Sequence, residues 1–384
     1  MYYDYERHNE SVRHLLEMEQ RGIPERVRME ISCNPRIIIS DPRLNQNNIT
    51  FEQYMNDPQN MLEIQCRFRE YLTNEIAYDQ IMGFENLPGI HVYGDFQNVF
   101  ETSYFGGEAV YHGTHEPGTR TMLTEETKYA FLDRPFPSLE SGFSGKALEY
   151  HTYFSEQKRK GFTYKGKPLN EIGITGLSTD GPFTLGCCLL GATEMCIALY
   201  TDEAFAMAFL EYITDATIYR IKETRKTFGL PEKSPSFFFA DDSIAMLSDK
   251  DYIRFVLPFH KKLIQELSTG EATNQIHLCG DATHHFLTIR DELNVRYFDT
   301  GYPVEHGKMV SLLGADVVFL GGVHVQTLLN GTREEIQAQT RQILEDVKPH
   351  TRNFVIKEAN NLSPGTPPEN VLAMYQAVQR YGKY

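Results

Sequence analysis

Two side chains that can hold a soft metal ion or carry a reactive thiolate, His277 and Cys279, stand two residues apart in Asn-Gln-Ile-His-Leu-Cys-Gly-Asp (274–281). On a β-strand, residues i and i+2 project from one face, so this spacing predicts an imidazole and a thiol aimed at one place. Gly280 ends such a strand, and Asp281 can cap a following helix. Polar groups recur in the same way along the chain: Thr179-Asp180-Gly181, Asp241-Asp242, Asp299-Thr300-Gly301, Gly321-Gly322-Val-His324 and Lys357-Glu358-Ala-Asn360. Carboxylates of this kind serve proton transfer or substrate orientation, and a His-x-Cys at the end of a strand can keep a metal or a reactive thiolate. Each also has a plain structural use. Asp180 can shape the Gly-Pro turn, Asp241 and Asp242 can cap a helix, and Asp299 can brace its own turn. His284 and His285 read as solvated or capping residues on the following helix.

The elements that must position these groups are legible as an alternation. Short apolar runs begin near Ile90, Ile172, Phe237, Ile276, Val295, Val317 and Phe354, and from residue 171 onward amphipathic stretches of helical period separate them. Ile172-Gly-Ile-Thr-Gly-Leu reads as a buried strand, Phe183 to Leu199 as one apolar helix and Thr201-Asp-Glu as the start of the next. An eighth strand is placed near Ile37, in Arg36-Ile-Ile-Ile-Ser. Four- to six-residue strands separated by helices imply parallel βαβ units, and about eight of them imply an α/β fold of the (β/α)8 barrel (TIM barrel) type. A doubly wound sheet is the alternative, but no Gly-x-Gly-x-x-Gly follows an early strand. Residues 1–83 read as a helical N-terminal layer, and 84–384 as the barrel with an excursion near 95–160, all within a single domain spanning 1–384. The C-terminal ends of barrel strands are where such folds build their sites, and nearly every strand above ends in one of the polar clusters.

The totals narrow the function classes. With 24 Phe, 22 Tyr and 41% hydrophobic residues, the chain can bury a large core. The 37 Lys and Arg against 52 Asp and Glu give a net charge of −15, which argues against binding nucleic acid or an anionic membrane surface. No apolar run reaches the roughly 20 residues that cross a bilayer. The N-terminus is polar and lacks a signal-like apolar stretch, so a cytoplasmic protein is expected. The six cysteines, at 33, 66, 187, 188, 196 and 279, have no framework spacing and read as reduced thiols.

Together, His277-Leu-Cys-Gly-Asp-Ala-Thr, Asp299-Thr-Gly, Gly321-Gly-Val-His324 with Leu328-Leu-Asn-Gly-Thr-Arg-Glu-Glu, and Pro364-Gly-Thr-Pro-Pro-Glu-Asn370 resemble the uroporphyrinogen decarboxylase superfamily. Gly181-Pro-Phe-Thr and Asp241-Asp-Ser fit the same pattern, and the resemblance covers roughly residues 170–384. It implies a (β/α)8 barrel. One branch of that superfamily decarboxylates polycarboxylated tetrapyrroles without a cofactor and uses an Arg-Gln-Ala-Gly-Arg segment near its N-terminus. This chain has no such segment and offers only Arg26, Arg28 and Arg36 in that region. The other branch comprises cobalamin-dependent methyltransferases, which hold zinc with His-x-Cys and a second Cys before the Pro-Gly-Thr-Pro loop. Asn360 occupies that second place here, and Glu358 is the nearby oxygen ligand.

The resemblance therefore implies a methyltransferase that moves a methyl group between a corrinoid and a small substrate. In this reading His277, Cys279 and Glu358 bind zinc, Asp241, Asp242 and Asp299 act as acid, base or orienting groups, and Asp180, His324 and Asn360 contact substrate. The Asp-x-His-x-x-Gly signature of corrinoid modules is absent, so cobalamin would arrive free or on a separate corrinoid protein. A porphyrinogen carboxy-lyase is the alternative, and a non-catalytic corrinoid- or tetrapyrrole-binding protein is the third reading. An oligomer is compatible with each.

Overall fold

The structure, a computed structural model, describes residues 3–384. In chain order its strands are β1 (Arg28–Met29), β2 (Ile90–Tyr93), β3 (Ala109–His112), β4 (His115–Thr119), β5 (Thr163–Tyr164), β6 (Lys167–Gly173), β7 (Phe238–Ala240), β8 (Asn274–Leu278), β9 (Val295–Thr300), β10 (Val318–His324) and β11 (Phe354–Ala359). The described residues divide into two compact units. The first takes the chain up to Val92, Phe154–Ile172 and Asp299–Tyr384; the second takes Tyr93–Tyr153 and Gly173–Phe298.

In the first unit, β11 lies between β1 and β10 and pairs with both in parallel, with Met29 opposite Ile356 and Val323 opposite Glu358. All six residues of β11 are buried, Lys357 and Glu358 included. A parallel strand covered on both faces has no solvated side to which a charged residue can escape, so those two charges must find partners inside. The helix Tyr5–Gln20 starts under an Asp4 cap, and Phe51–Asn56 under a Thr50–Gln53 capping box. β2, β6 and β5 form a separate three-stranded sheet.

In the second unit, β7 and β8 pair in parallel, Phe239 opposite Ile276, and β9 follows beside β8. β8 alternates in burial, with Ile276 and Leu278 inward and Gln275 and His277 on the other face. That pattern is the period of two read from the sequence. Within the excursion, β3 and β4 form an antiparallel hairpin. The helix Glu203–Thr227 packs an aromatic side, where Phe205 and Phe209 stack at 5.3 Å between ring centres.

Three expectations about elements are corrected. The run near Ile37 is a short helix, Arg36–Ser40, and the strand of that region is β1. The buried strand expected at Ile172 begins earlier, as β6, and is mostly not buried. The apolar helix from Phe183 is two helices, Pro182–Leu190 and Ala192–Thr201, bent by 107° at Gly191, whose φ of +109° no helix accommodates. Among the described residues no single helix is long and apolar enough to cross a membrane.

Candidate functional site

The second unit gathers one constellation at the ends of β7 and β8. The strand β8 places His277 and Cys279 on one face, and His277 Nε2 lies 3.0 Å from Cys279 Sγ. The two aspartates after β7 turn opposite ways. Asp242 Oδ1 accepts the Cys279 backbone N–H at 2.6 Å, which brings its carboxylate to the thiol. One ligand atom from each of Asp242, His277 and Cys279 falls within 4.8 Å of the others. Burial raises the Cys279 thiol above its ordinary pKa, against the opposing pull of His277.

Asp241 turns inward and is fully buried. Its Oδ1 accepts Thr184 N–H and Thr184 O–H, both at 2.7 Å, and its Oδ2 accepts Phe183 N–H at 3.1 Å. It thus satisfies the first N–H groups of the Pro182–Leu190 helix, where a negative charge is favoured. The buried His260 ring lies against the same carboxylate, Nε2 to Oδ2 2.9 Å, and Tyr252 Oη meets its Nδ1 at 3.1 Å. Gly181 makes the crossing possible: at φ +82°, a Cβ there would collide with the Ala240 carbonyl and with Asp241.

Asp180 sits beside a buried ion pair. Its backbone N–H donates to Glu101 Oε2 at 2.5 Å, and the other Glu101 oxygen pairs with the fully buried Arg220. Arg220 also donates to the carbonyls of Gly176 and Ser178. Withdrawal from water, helped by the charges of Glu101 and Asp242, pushes the Asp180 carboxyl up to about 7.

The first unit gathers the remaining strand ends. Lys357, 1% exposed, donates to Asp299 Oδ1 at 2.7 Å and to Ser32 Oγ at 2.6 Å. Ser32 in turn donates its backbone N–H to both oxygens of Glu358, at 3.0 and 3.2 Å. Burial drives the Glu358 carboxyl up to about 8, against the pull of Lys357. Asn360, just past β11, has φ +110°, a region that L residues rarely adopt and that costs roughly 1–3 kcal/mol. His324, at the end of β10, lies against Tyr302 with ring centres 4.1 Å apart and the planes tilted by 48°.

The structure thus brings His277 and Cys279 together as expected, with a different third donor. Among the described residues Asp242 completes the group, and Glu358 is outside it. Glu358 is instead buried on β11, where both its oxygens accept the Ser32 N–H. His284 is exposed, as expected, and contacts Leu247 O, whereas His285 is fully buried on Ile244 O and Asp249 and is not a solvated group. Sequence reasoning assigned no part to Ser32, Glu101, Arg220, His260 or Lys357. Only Lys357 carried a signal, a lysine between apolar strand residues and a strand-end carboxylate.

Parallel strands that end in carboxylate, thiol and imidazole define a barrel of the enzyme-bearing α/β class. Residues 167–381 match the family described as uroporphyrinogen decarboxylase (URO-D), and the chain belongs to that family, whose fold is the (β/α)8 barrel. A solved methyltransferase from Methanosarcina mazei shares this fold, with a TM-score of 0.64 and 15% identity, covering 96% of this chain and 98% of that one. Among curated proteins, the chain is 31% identical over 201 residues to a methylated-thiol–coenzyme M methyltransferase of M. mazei, 51% of this chain and 50% of that protein. It is 26% identical to a uroporphyrinogen decarboxylase of Anaeromyxobacter dehalogenans, 55% of this chain and 58% of that one. It is 24% identical to a methylcobamide:CoM methyltransferase of M. mazei, 54% and 57%. The chain thus spans between half and three fifths of the length of these curated relatives.

Proposed function

We propose that this chain is a corrinoid-dependent methyltransferase whose reacting centre is a zinc held by His277, Cys279 and Asp242. The observation that carries the reading is that three donors of different hardness converge within 4.8 Å. Nitrogen, sulfur and oxygen from three side chains fit a catalytic zinc, which keeps a fourth position for an exchangeable ligand. A zinc bound there would act as a Lewis acid on that ligand and lower the pKa of a thiol or water. The chain's own residues do the positioning. β8 fixes imidazole and thiol on one face, and the Cys279 N–H donated to Asp242 holds the loop after β7 at the thiol. Asp241 does not touch the reacting atoms in this reading. It anchors the same loop to the Pro182–Leu190 helix and so fixes where Asp242 points.

Asp180, with a carboxyl raised to about 7, is suited to give or take a proton near neutrality. Asp299, oriented by Lys357, keeps the role of an acid, base or orienting group, and His324 and Asn360 remain candidates for substrate contact. The corrinoid is a substrate in this scheme, brought free or by a separate protein, and a cytoplasmic location suits both.

The carboxy-lyase reading is less well supported, because the arginines that would clamp substrate carboxylates are already engaged. Arg26 is bidentate on Asp79, Arg28 pairs with Glu30, and Arg36 donates to Asn34. Methylcobalamin demethylation, followed against a panel of thiols, tests the proposal. The wild type should demethylate it with at least one thiol, and Cys279→Ala should lose at least about 100-fold of that rate. Release of carbon dioxide from uroporphyrinogen with no methyl transfer would overturn it.

A further inference from the structure

Residues 176–181 lead from β6 to the Pro182–Leu190 helix and pass the end of β7. Ala240 N–H on β7 donates to Thr179 O at 2.9 Å, and Gly181 packs on the Ala240 carbonyl and on Asp241. That route sets Asp180 beside the aspartate pair, close enough for the Asp242 charge to act on its carboxyl. Glu101 takes the Asp180 N–H, but among the described residues none donates to the Asp180 carboxyl oxygens. Those oxygens are left for a bound molecule.

The segment is irregular, so its carbonyls enter no strand ladder at 176 and 178 and need donors of another kind. The fully buried Arg220 supplies them. Its Nη1 donates to Gly176 O at 3.0 Å, and its Nη2 to Ser178 O at 3.1 Å and to Glu101 Oε1. The Phe100 and Tyr104 rings flank the guanidinium at 5.2 and 5.8 Å. Gly176, at φ +93°, leaves room for the fork, because a Cβ there would come within 3.0 Å of Nη1. Glu101 completes the clamp, with one oxygen on Arg220 and the other on Asp180 N–H. A buried ion pair is by itself weak evidence for stability, since apolar residues of the same volume often serve as well. Arg220 Nε even lacks an acceptor. What the pair does is hold positions 176, 178 and 180 of the segment that carries Asp180.

We propose that Arg220 and Glu101 are positioning residues that fix the Asp180 carboxyl where the substrate meets it beside Asp242. The role in turnover rests on the methyl-transfer reading of this site. A carboxylate is needed at 101 because it must accept on both sides. Glutamine has one accepting oxygen, so Glu101→Gln keeps the size and leaves either Arg220 or the Asp180 N–H facing an amide donor. Arg220→Lys keeps the charge and loses the planar fork.

Crystal structures and methylcobalamin demethylation by the full, zinc-loaded chain test this together. In Glu101→Gln the Asp180 carboxyl should move by about 1 Å or more while His277, Cys279 and Asp242 stay in place, and kcat should fall roughly 10- to 100-fold with zinc affinity unchanged. In an Asp180→Asn background the same substitution should change kcat by less than about twofold, because its effect passes through Asp180. Arg220→Lys should give the same displacement and the same non-additivity, and it decides the matter if Glu101→Gln does not fold. An unmoved Asp180, losses that multiply in the double variant, or zinc affinity falling in step with kcat would each overturn the proposal. The displacement is read without turnover. A wild type that transfers no methyl group would therefore sink the methyltransferase reading, while the position of Asp180 in the variants would still decide the clamp.

Discussion

At the scale of single residues, the division of labour between adjacent aspartates is the main outcome. Asp241 and Asp242 are indistinguishable in sequence, yet one is fully buried under a helix N-terminus and the other reaches the Cys279 loop. The direction of each side chain depends on where Gly181 lets a distant loop cross β7, and no local pattern records that crossing. His277 and Cys279 were legible for the opposite reason, since the strand's period of two decides their common face by itself. His306 yields a residue-scale prediction. In the unfolded chain it takes up a proton near 6.5, whereas in the folded protein burial delays this to about 4. Between those values the unfolded state holds more protons, so stability is full above pH 6.5 and falls as pH drops toward 4. The loss is about 3 kcal/mol. Urea unfolding at pH 7 and pH 4 should show the wild type losing that much more than His306→Phe. Equal losses in the two proteins would refute the assignment.

At the scale of elements, the misread helices have separate causes. Arg36-Ile-Ile-Ile-Ser is too short for its periodicity to separate helix from strand, and Pro35 before it settled the helix in the fold. The long apolar span after Pro182 hid its break because Gly191 is one residue in an otherwise uniform stretch. Partners far apart in the chain were beyond reach for another reason: Ser32 meets Lys357 across 325 positions, and Glu101 meets Arg220 across 119. Such pairs leave no local signal in a single sequence. The element-scale prediction concerns the start of the Pro182–Leu190 helix. Asp241→Ala removes the acceptor of two backbone N–H groups and leaves buried His260 without its carboxylate. A destabilisation of about 3–5 kcal/mol is expected, measured by the urea midpoint. A change below about half a kilocalorie per mole would show that the helix start is held otherwise.

At the scale of the whole molecule, the alternation of short strands and helices was sufficient for the barrel class, because parallel βαβ units repeat one pattern many times and survive individual errors. Family membership over residues 167–381 agrees with it. What composition and periodicity do not encode is which strand ends meet. Hence Glu358, read as a metal ligand, instead receives the Ser32 N–H with both its oxygens, and Asp242 becomes the third donor beside His277 and Cys279. The central claim is that this donor set holds the reacting metal. Zinc K-edge absorption of the zinc-loaded protein tests it most directly. The account predicts one sulfur at about 2.3 Å with nitrogen and oxygen neighbours near 2.0–2.2 Å, the sulfur contribution vanishing in Cys279→Ala and the affinity falling in Asp242→Asn. A shell with two sulfurs, or zinc binding indifferent to both substitutions, would contradict it.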